Sequence, residues 1–304
     1  MTIYYNDVDI TDRVNATAAV LHDVSGGCCD YIELEFDNAA LWLSWNPKTD
    51  DMFEIAQGDL SSGTMYVSCV YPCDGKFKVL ATAIPSTARR MLNMAYRNMD
   101  LSGIMRSCAN ECNMGDVLFG IKNHEYDYLL RENESSAAFL ERIATLEGAV
   151  LKCYNGNFTM IGIKTAQEFE AGQMIEQSDA MTGFEYSKDD TKRVRKLTVI
   201  TPYGHYTAED LGAKGNEEII RSDVPAVNLE QVKRWARGLL LAHNRKAEML
   251  TVRGSLNSGQ TAMVRVDITG DNDVSGAWIA DEVVHDFIKR TSTVTLLRCI
   301  DTVV

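Results

Sequence analysis

The chain is 304 residues long, 45% hydrophobic and 24% charged, an ordinary globular balance with room for two or three domains. A formal charge of −13, with no basic run longer than two or three residues, excludes a protein that grips nucleic acid through its phosphates. No run of eighteen apolar residues exists, and the opening MTIYYNDVDITDRV carries acids where a signal peptide carries basic and apolar residues, so cytoplasmic folding without stable membrane insertion is expected.

Residues 1–86 read as an antiparallel β domain. TIYYNDVDIT, DYIELEFDN, TMYVSCVY and KFKVLATAI are strand-like and are separated by Ser-Gly-Gly, Ser-Ser-Gly and Asp-Gly. In YIELEF, Ile32, Leu34 and Phe36 alternate with Glu33 and Glu35, the period of a strand with one buried face.

Residues 87–165 read as a small α/β module. Asp100 is placed to cap a helix whose apolar stripe is Leu101, Ile104, Met105, Cys108 and Cys112, with Gly115 as its stop. A second helix, SSAAFLERIATLEG, carries Phe139, Leu140, Ile143 and Ala144 and stops at Gly148. Asn155-Gly156 then divides two alternating apolar runs, a strong hairpin signal.

Residues 166–304 return to strands, around one helix at about 228–245. Val194, Leu197 and Val199 mark a partly basic strand. The helix has Asn228 as cap, Gln231 as its box partner, and Leu229, Val232, Ala236, Leu239 and Leu240 inward. AMVRVDITG alternates Val264, Val266 and Ile268 with Arg265 and Asp267, and GAWIADEVVHDFI and STVTLLRCI are expected to pair across KRTS. No Pro/Ser-rich linker interrupts the chain, so the three parts are expected to pack together.

Few residues invite a chemical role. The acid pairs Asp50-Asp51 and Asp189-Asp190 lie in polar, turn-like contexts that favour solvated loops over a catalytic dyad. The eight cysteines (28, 29, 69, 73, 108, 112, 153 and 299) are too dilute for a disulfide framework and are expected to be thiols. Cys69 with Cys73 and Cys108 with Cys112 share a C-x-x-x-C spacing able to offer four thiolates to zinc, but Cys108 falls on an apolar stripe, so core burial is the favoured reading. His285 sits mid-strand and reads as one rung of a hairpin rather than a general base. No nucleophile-elbow, zinc-protease, phosphate-loop or dinucleotide motif is present, and neither a cofactor nor a catalytic or metal residue is expected.

The order of these pieces resembles the baseplate hub proteins of contractile phage tails and tail-like bacteriocins, the late control protein D group. DVDITDRV and VSGGCCDYIELEFDN are similar to that family's opening, DGKFKV to its next strand, and MDLSGIMRSCANECNM to the helix that opens its middle module. LRENESSAAFLERIATLEGAVLKCYNGNFTMIG is the most similar segment, and GAWIADEVVHDFIKRTSTVTLLRC resembles the terminal hairpin. The resemblance spans nearly the whole chain. It implies two tail-tube-like antiparallel β-barrels flanking the small module, and a homotrimer whose six barrels match a sixfold tube.

A non-enzymatic adaptor follows from that resemblance. Its partners would be the tail tube or tube initiator above, the trimeric spike below and the surrounding baseplate proteins, in a virion or tailocin particle assembled in the host cytoplasm. The acidic balance would serve either a lumen that passes DNA without sticking to it or solubility alone. Two other readings are a tail-associated peptidoglycan hydrolase using an acid pair and a tail-tip carbohydrate-binding module using Trp42 and Trp45, though those tryptophans are expected in the first core.

Overall fold

The computed structural model describes residues 1–27, 29–176, 183–270 and 273–304. It is α+β and mainly β. The amino-terminal part holds β1 (Thr2–Tyr5), β2 (Val8–Asp9), β3 (Ala16–Val24), β4 (Tyr31–Phe36), α1 (Ala39–Trp45), β5 (Met52–Gln57), β6 (Leu60–Ser61), β7 (Met65–Cys73) and β8 (Lys76–Thr82). TIYYNDVDIT is a tight hairpin rather than one strand, because Asn6 and Asp7 both take positive φ (47° and 64°), the backbone of a two-residue hairpin turn. The short helix α1 was not expected; Asn38 caps it by accepting from the Leu41 N–H at 3.2 Å.

The middle part holds β9 (Leu92–Asp100), α2 (Leu101–Glu111), β10 (Val117–Gly120), β11 (Glu125–Glu134), α3 (Ser136–Leu146), β12 (Ala149–Tyr154), β13 (Asn157–Gly162) and α4 (Ile163–Glu168). The Asp100 cap and the Asn155-Gly156 turn act as read, but α2 ends at Glu111, and Asn113, with φ of 56°, rather than Gly115 takes the left-handed conformation after it. Asp100 accepts from the Gly103 N–H at 2.7 Å, Ser135 accepts from the Ala138 N–H at 3.1 Å, and Asn155 and Gly156 turn the β12–β13 hairpin with φ of 46° and 71°. The ribbon of β9 with β11 is an addition the sequence reading lacks.

The carboxy-terminal part holds β14 (Gln173–Glu176), β15 (Phe184–Lys188), β16 (Lys196–Thr201), β17 (Gly204–Glu209), β18 (Glu218–Arg221), α5 (Leu229–Asn244), β19 (Glu248–Ser255), β20 (Arg265–Thr269), β21 (Gly276–Asp286) and β22 (Thr291–Arg298). Strands β16, β17 and β18 form a separate small sheet against which α5 packs, burying Leu197, Val199, Val232, Trp235 and Leu240. Asn228 and Gln231 make the expected cap: Asn228 accepts from the Gln231 N–H at 2.9 Å, and Gln231 accepts from the Val227 N–H at 2.8 Å.

The long sheet repeats itself. Its amino-terminal strands run β1-β5-β7-β8-β4-β3 and its carboxy-terminal strands β14-β20-β21-β22-β19-β15. With each group's six strands counted in chain order, leaving aside the two-residue β2 and β6, both read first, fourth, fifth, sixth, third, second. Four of the five pairings in each group are antiparallel in both; the exception is first with fourth, antiparallel in β1–β5 and parallel in β14–β20. Each group encloses a fully buried tryptophan. Trp42 packs among Phe36, Phe53 and Phe77, and Trp278 among Leu250, Val266, Val283 and Leu296.

One strand joins the groups. Residues 276–279 of β21 pair with β20; a bulge follows between Ala280 and Glu282; residues 282–286 then pair with β3. Among the described residues the hydrogen-bonded path therefore runs through both groups without interruption.

Candidate functional site

Most of the residues singled out by sequence are engaged in hydrogen bonds, ion pairs or core packing where the structure describes them, Cys69 and Cys73 being exposed. Asp51 accepts from the Tyr5 hydroxyl at 2.7 Å and the Lys48 N–H at 2.6 Å, while Asp50 accepts from the Ser86 N–H at 2.7 Å, so this acid pair staples loops. Asp189 accepts from the Thr191 N–H at 3.1 Å, and Asp190 pairs with Lys214 at 3.1 Å. Cys69 and Cys73 are exposed on β7, whereas Cys108 and Cys112 are buried on α2, with the Tyr96 hydroxyl 3.4 Å from the Cys108 sulfur; burial raises the Cys108 thiol to about 11. Among the described residues no group of three or more His, Cys, Asp and Glu is arranged to hold a metal; Cys28 lies outside them. Trp42 is buried, and Trp45 stacks on Tyr5 beneath Arg13, so neither offers an open sugar platform.

His285 is 1% exposed. Its Nε2 lies 3.1 Å from the Gln260 carbonyl, which can only accept, so Nε2 carries the proton and Nδ1 accepts from the Ser292 hydroxyl at 2.8 Å. Burial depresses its pKa, opposed by Asp23. A histidine depressed by folding contributes stability that is whole above the unfolded value of about 6.5 and is lost as pH falls below it. His285→Phe is expected to cost about 1–3 kcal/mol at pH 7.5, by leaving a buried hydroxyl and carbonyl short of partners, and to remove that acid-side loss. Urea midpoints at pH 5 and 7.5 measure both; an unchanged midpoint would make the hydrogen bonds incidental.

Charged chemistry gathers instead at the β3–β21 seam. Lys152 of β12, an isolated cation among apolar neighbours, places its ammonium between two buried carboxylates. It contacts Asp23 of β3 and lies 2.8 Å from Asp30 Oδ2, in the approach to β4. Asp23 also accepts from the Thr261 hydroxyl and from the Ala262 N–H at 3.2 Å, and Asp30 accepts from the Val24 N–H at 2.9 Å. All three parts of the chain thus meet at one cluster. Burial raises Asp30 to about 6, Lys152 opposing and Asp23 adding to the shift, while the two acids hold Lys152 above its ordinary value despite its burial.

A second tie lies at the bulge of β21. The Asp281 carboxylate accepts from the Ser25 hydroxyl and from Arg245 Nη2 at 2.6 Å, and its backbone carbonyl accepts from the Ser25 N–H at 2.8 Å. Glu141 of α3 accepts from the Gly27 N–H at 2.9 Å. On the opposite face of the seam, His22 Nδ1 is 3.2 Å from Glu282 Oε1. A groove of about 510 Å³ opens beside these contacts; its charged wall groups are already engaged, Glu141 with Gly27 and Arg142 with Glu134.

Sequence reasoning missed this site because most of its partners lie more than a hundred positions apart, Lys152 and Asp30 by 122 and His22 and Glu282 by 260. The one local signal was a lysine inside the apolar strand AVLKCY. Breaking a buried ion pair of this kind costs about 3–5 kcal/mol, so the cluster resists any change in how the parts are set against one another.

No family model and no curated protein sequence matches the chain. Solved structures do match it. The 43 kDa tail protein of prophage MuSo2 from Shewanella oneidensis superposes with a TM-score of 0.77 at 13% identity, over 98% of this chain and 97% of that one. A tail protein from Neisseria meningitidis gives 0.75 at 11% identity, over 98% and 95%. An Escherichia coli component of the type VI secretion system, described as structurally similar to T4 bacteriophage tail proteins, gives 0.62 at 10% identity, over 99% and 77%. The chain therefore has a fold shared with phage tail proteins.

Proposed function

We propose that this protein is the structural hub of a contractile tail or tail-like injection particle, of the late control protein D type: a non-enzymatic homotrimeric adaptor between a sixfold tube and a threefold spike. The repeated six-strand order carries the reading. Three chains with two similar strand groups each present six similar units to a hexameric ring while keeping threefold symmetry for the spike. Such matching needs the two groups at a fixed angle, and the continuous sheet through β21 with its ionic ties meets that need. The groups correspond to a first barrel at 1–86 and a second at 166–304, with 87–165 between them. Tube or tube initiator, spike and the other baseplate proteins are the partners, and the particle's baseplate, assembled in the host cytoplasm, is the location.

Light scattering on the purified protein is expected to give three times 33.8 kDa, alone or once the cognate spike is added, and negative-stain images a ring with a central hole. Monomer in both conditions would end the proposal.

A further inference from the structure

We propose that the joint between the two strand groups is tightened by acid: its Asp23–Lys152–Asp30 cluster is one proton short of neutrality at pH 7 and takes that proton up on mild acidification. The observation is a count of buried charge. Two carboxylates and one ammonium share a site from which water is largely excluded, Asp23 being 8% exposed, Asp30 1% and the Lys152 side chain 11%. A buried charge without a counter-charge is costly, and a proton on the deeper acid leaves one ammonium facing one carboxylate.

The surrounding groups allow the sign to be worked out. Facing the cluster are Asp23 from β3, Lys152, Cys153 and Tyr154 from β12, and His285 from β21; Glu141 of α3 lies beyond Cys153. Lys152 is the only cation among these. Folding raises Asp30 from 3.8 to about 6, so its contribution is whole below 3.8 and is lost as pH rises through about 6. Across the seam, His22 Nδ1 faces Glu282 Oε1 at 3.2 Å. His285 acts in the opposite direction, since both its ring nitrogens are engaged in the neutral form.

Comparing the wild type with Asp30→Asn isolates the cluster, because both histidines are common to the two proteins. Hydrogen exchange of peptides covering residues 20–24 and 282–286, corrected for intrinsic exchange, reads the opening of the seam at pH 5 and pH 7. The wild-type opening constant, divided by that of Asp30→Asn, is expected to fall about tenfold from pH 7 to pH 5, the effect of one proton over this window. A ratio that stays constant within about twofold, or rises, would overturn the proposal. A second reading needs only the wild-type fold: with ¹³C-labelled aspartate, one side-chain carboxyl is expected to titrate near pH 6, and titration of every aspartate below pH 5 would refute it. Neither measurement depends on the tail assignment.

Discussion

Replacing Gly238 with alanine is expected to destabilise the protein by about 2–3 kcal/mol, although alanine is the better helix former by about 1 kcal/mol. Gly238 lies in the interior of α5, where glycine is ordinarily a defect. A Cβ there would stand 2.1 Å from the Leu146 carbonyl oxygen and 2.5 Å from the Gly148 nitrogen, at the end of α3. Those atoms are backbone and cannot rotate aside. Gly148, with φ of 66°, reverses the chain after α3, and a Cβ on it would in turn meet the Gly238 Cα at 3.1 Å. The two glycines are thus where the helices touch, and the steric term outweighs propensity. Urea denaturation checks the sign. Gly254→Ala, in β19 with nothing within 4 Å of the added methyl, is the control and is expected to stay within about 0.5 kcal/mol of wild type. A Gly238→Ala protein as stable as wild type would mean that the helices are not this close. Because Arg245 follows directly on α5 and binds Asp281, a displaced α5 would also loosen the joint.

Features set by a few consecutive residues were legible in the sequence. The caps at Asp100 and Asn228 and the Asn155-Gly156 turn are each decided within four positions, so their chemistry is visible in a short window. The final hairpin shows where such reading slips. It was expected to turn at KRTS, but β21 ends at Asp286, whose carboxylate accepts from the Ile288 and Lys289 N–H groups, and Arg290 takes the left-handed conformation with φ of 55°. The turn is therefore residues 287–290, and Ser292 comes to lie opposite His285. The repeated strand order was not legible in the residue patterns; two similar barrels were expected only from the family resemblance. Both groups use ordinary strand periodicity and share no motif, so the likeness exists only in which strands pair. The joint was equally hidden: Asp23 and Asp30 look like solvated charges, and the lysine in the apolar strand AVLKCY has no visible partner until the fold sets Lys152 between them.

The largest electrostatic effect is expected at Glu147, the residue that ends α3. A carboxylate at a helix C-terminus faces the negative end of the helix dipole, so by local rules it is misplaced. Distant residues correct this. The side chain is 1% exposed and accepts from Arg234 Nε at 2.6 Å and Nη2 at 3.0 Å, from Trp235 Nε1 at 2.6 Å and from the Tyr126 hydroxyl at 2.6 Å. Burial and this carboxylate together push the Tyr126 hydroxyl well above its ordinary pKa. One acid therefore ties β11 and α5 to the end of α3. Glu147→Ala would strip the counter-charge from Arg234, leave the Trp235 indole N–H without its acceptor and take from the Tyr126 hydroxyl the carboxylate it donates to, with an expected loss of about 3–5 kcal/mol. Glu147→Gln retains an acceptor for Tyr126 and Trp235 but not the charge, and is expected to lose about 2 kcal/mol. Thermal and urea denaturation of both variants give the order. Alanine costing under about 1 kcal/mol would place the pair with ordinary surface ion pairs and remove the reason to treat α3, β11 and α5 as one rigid unit.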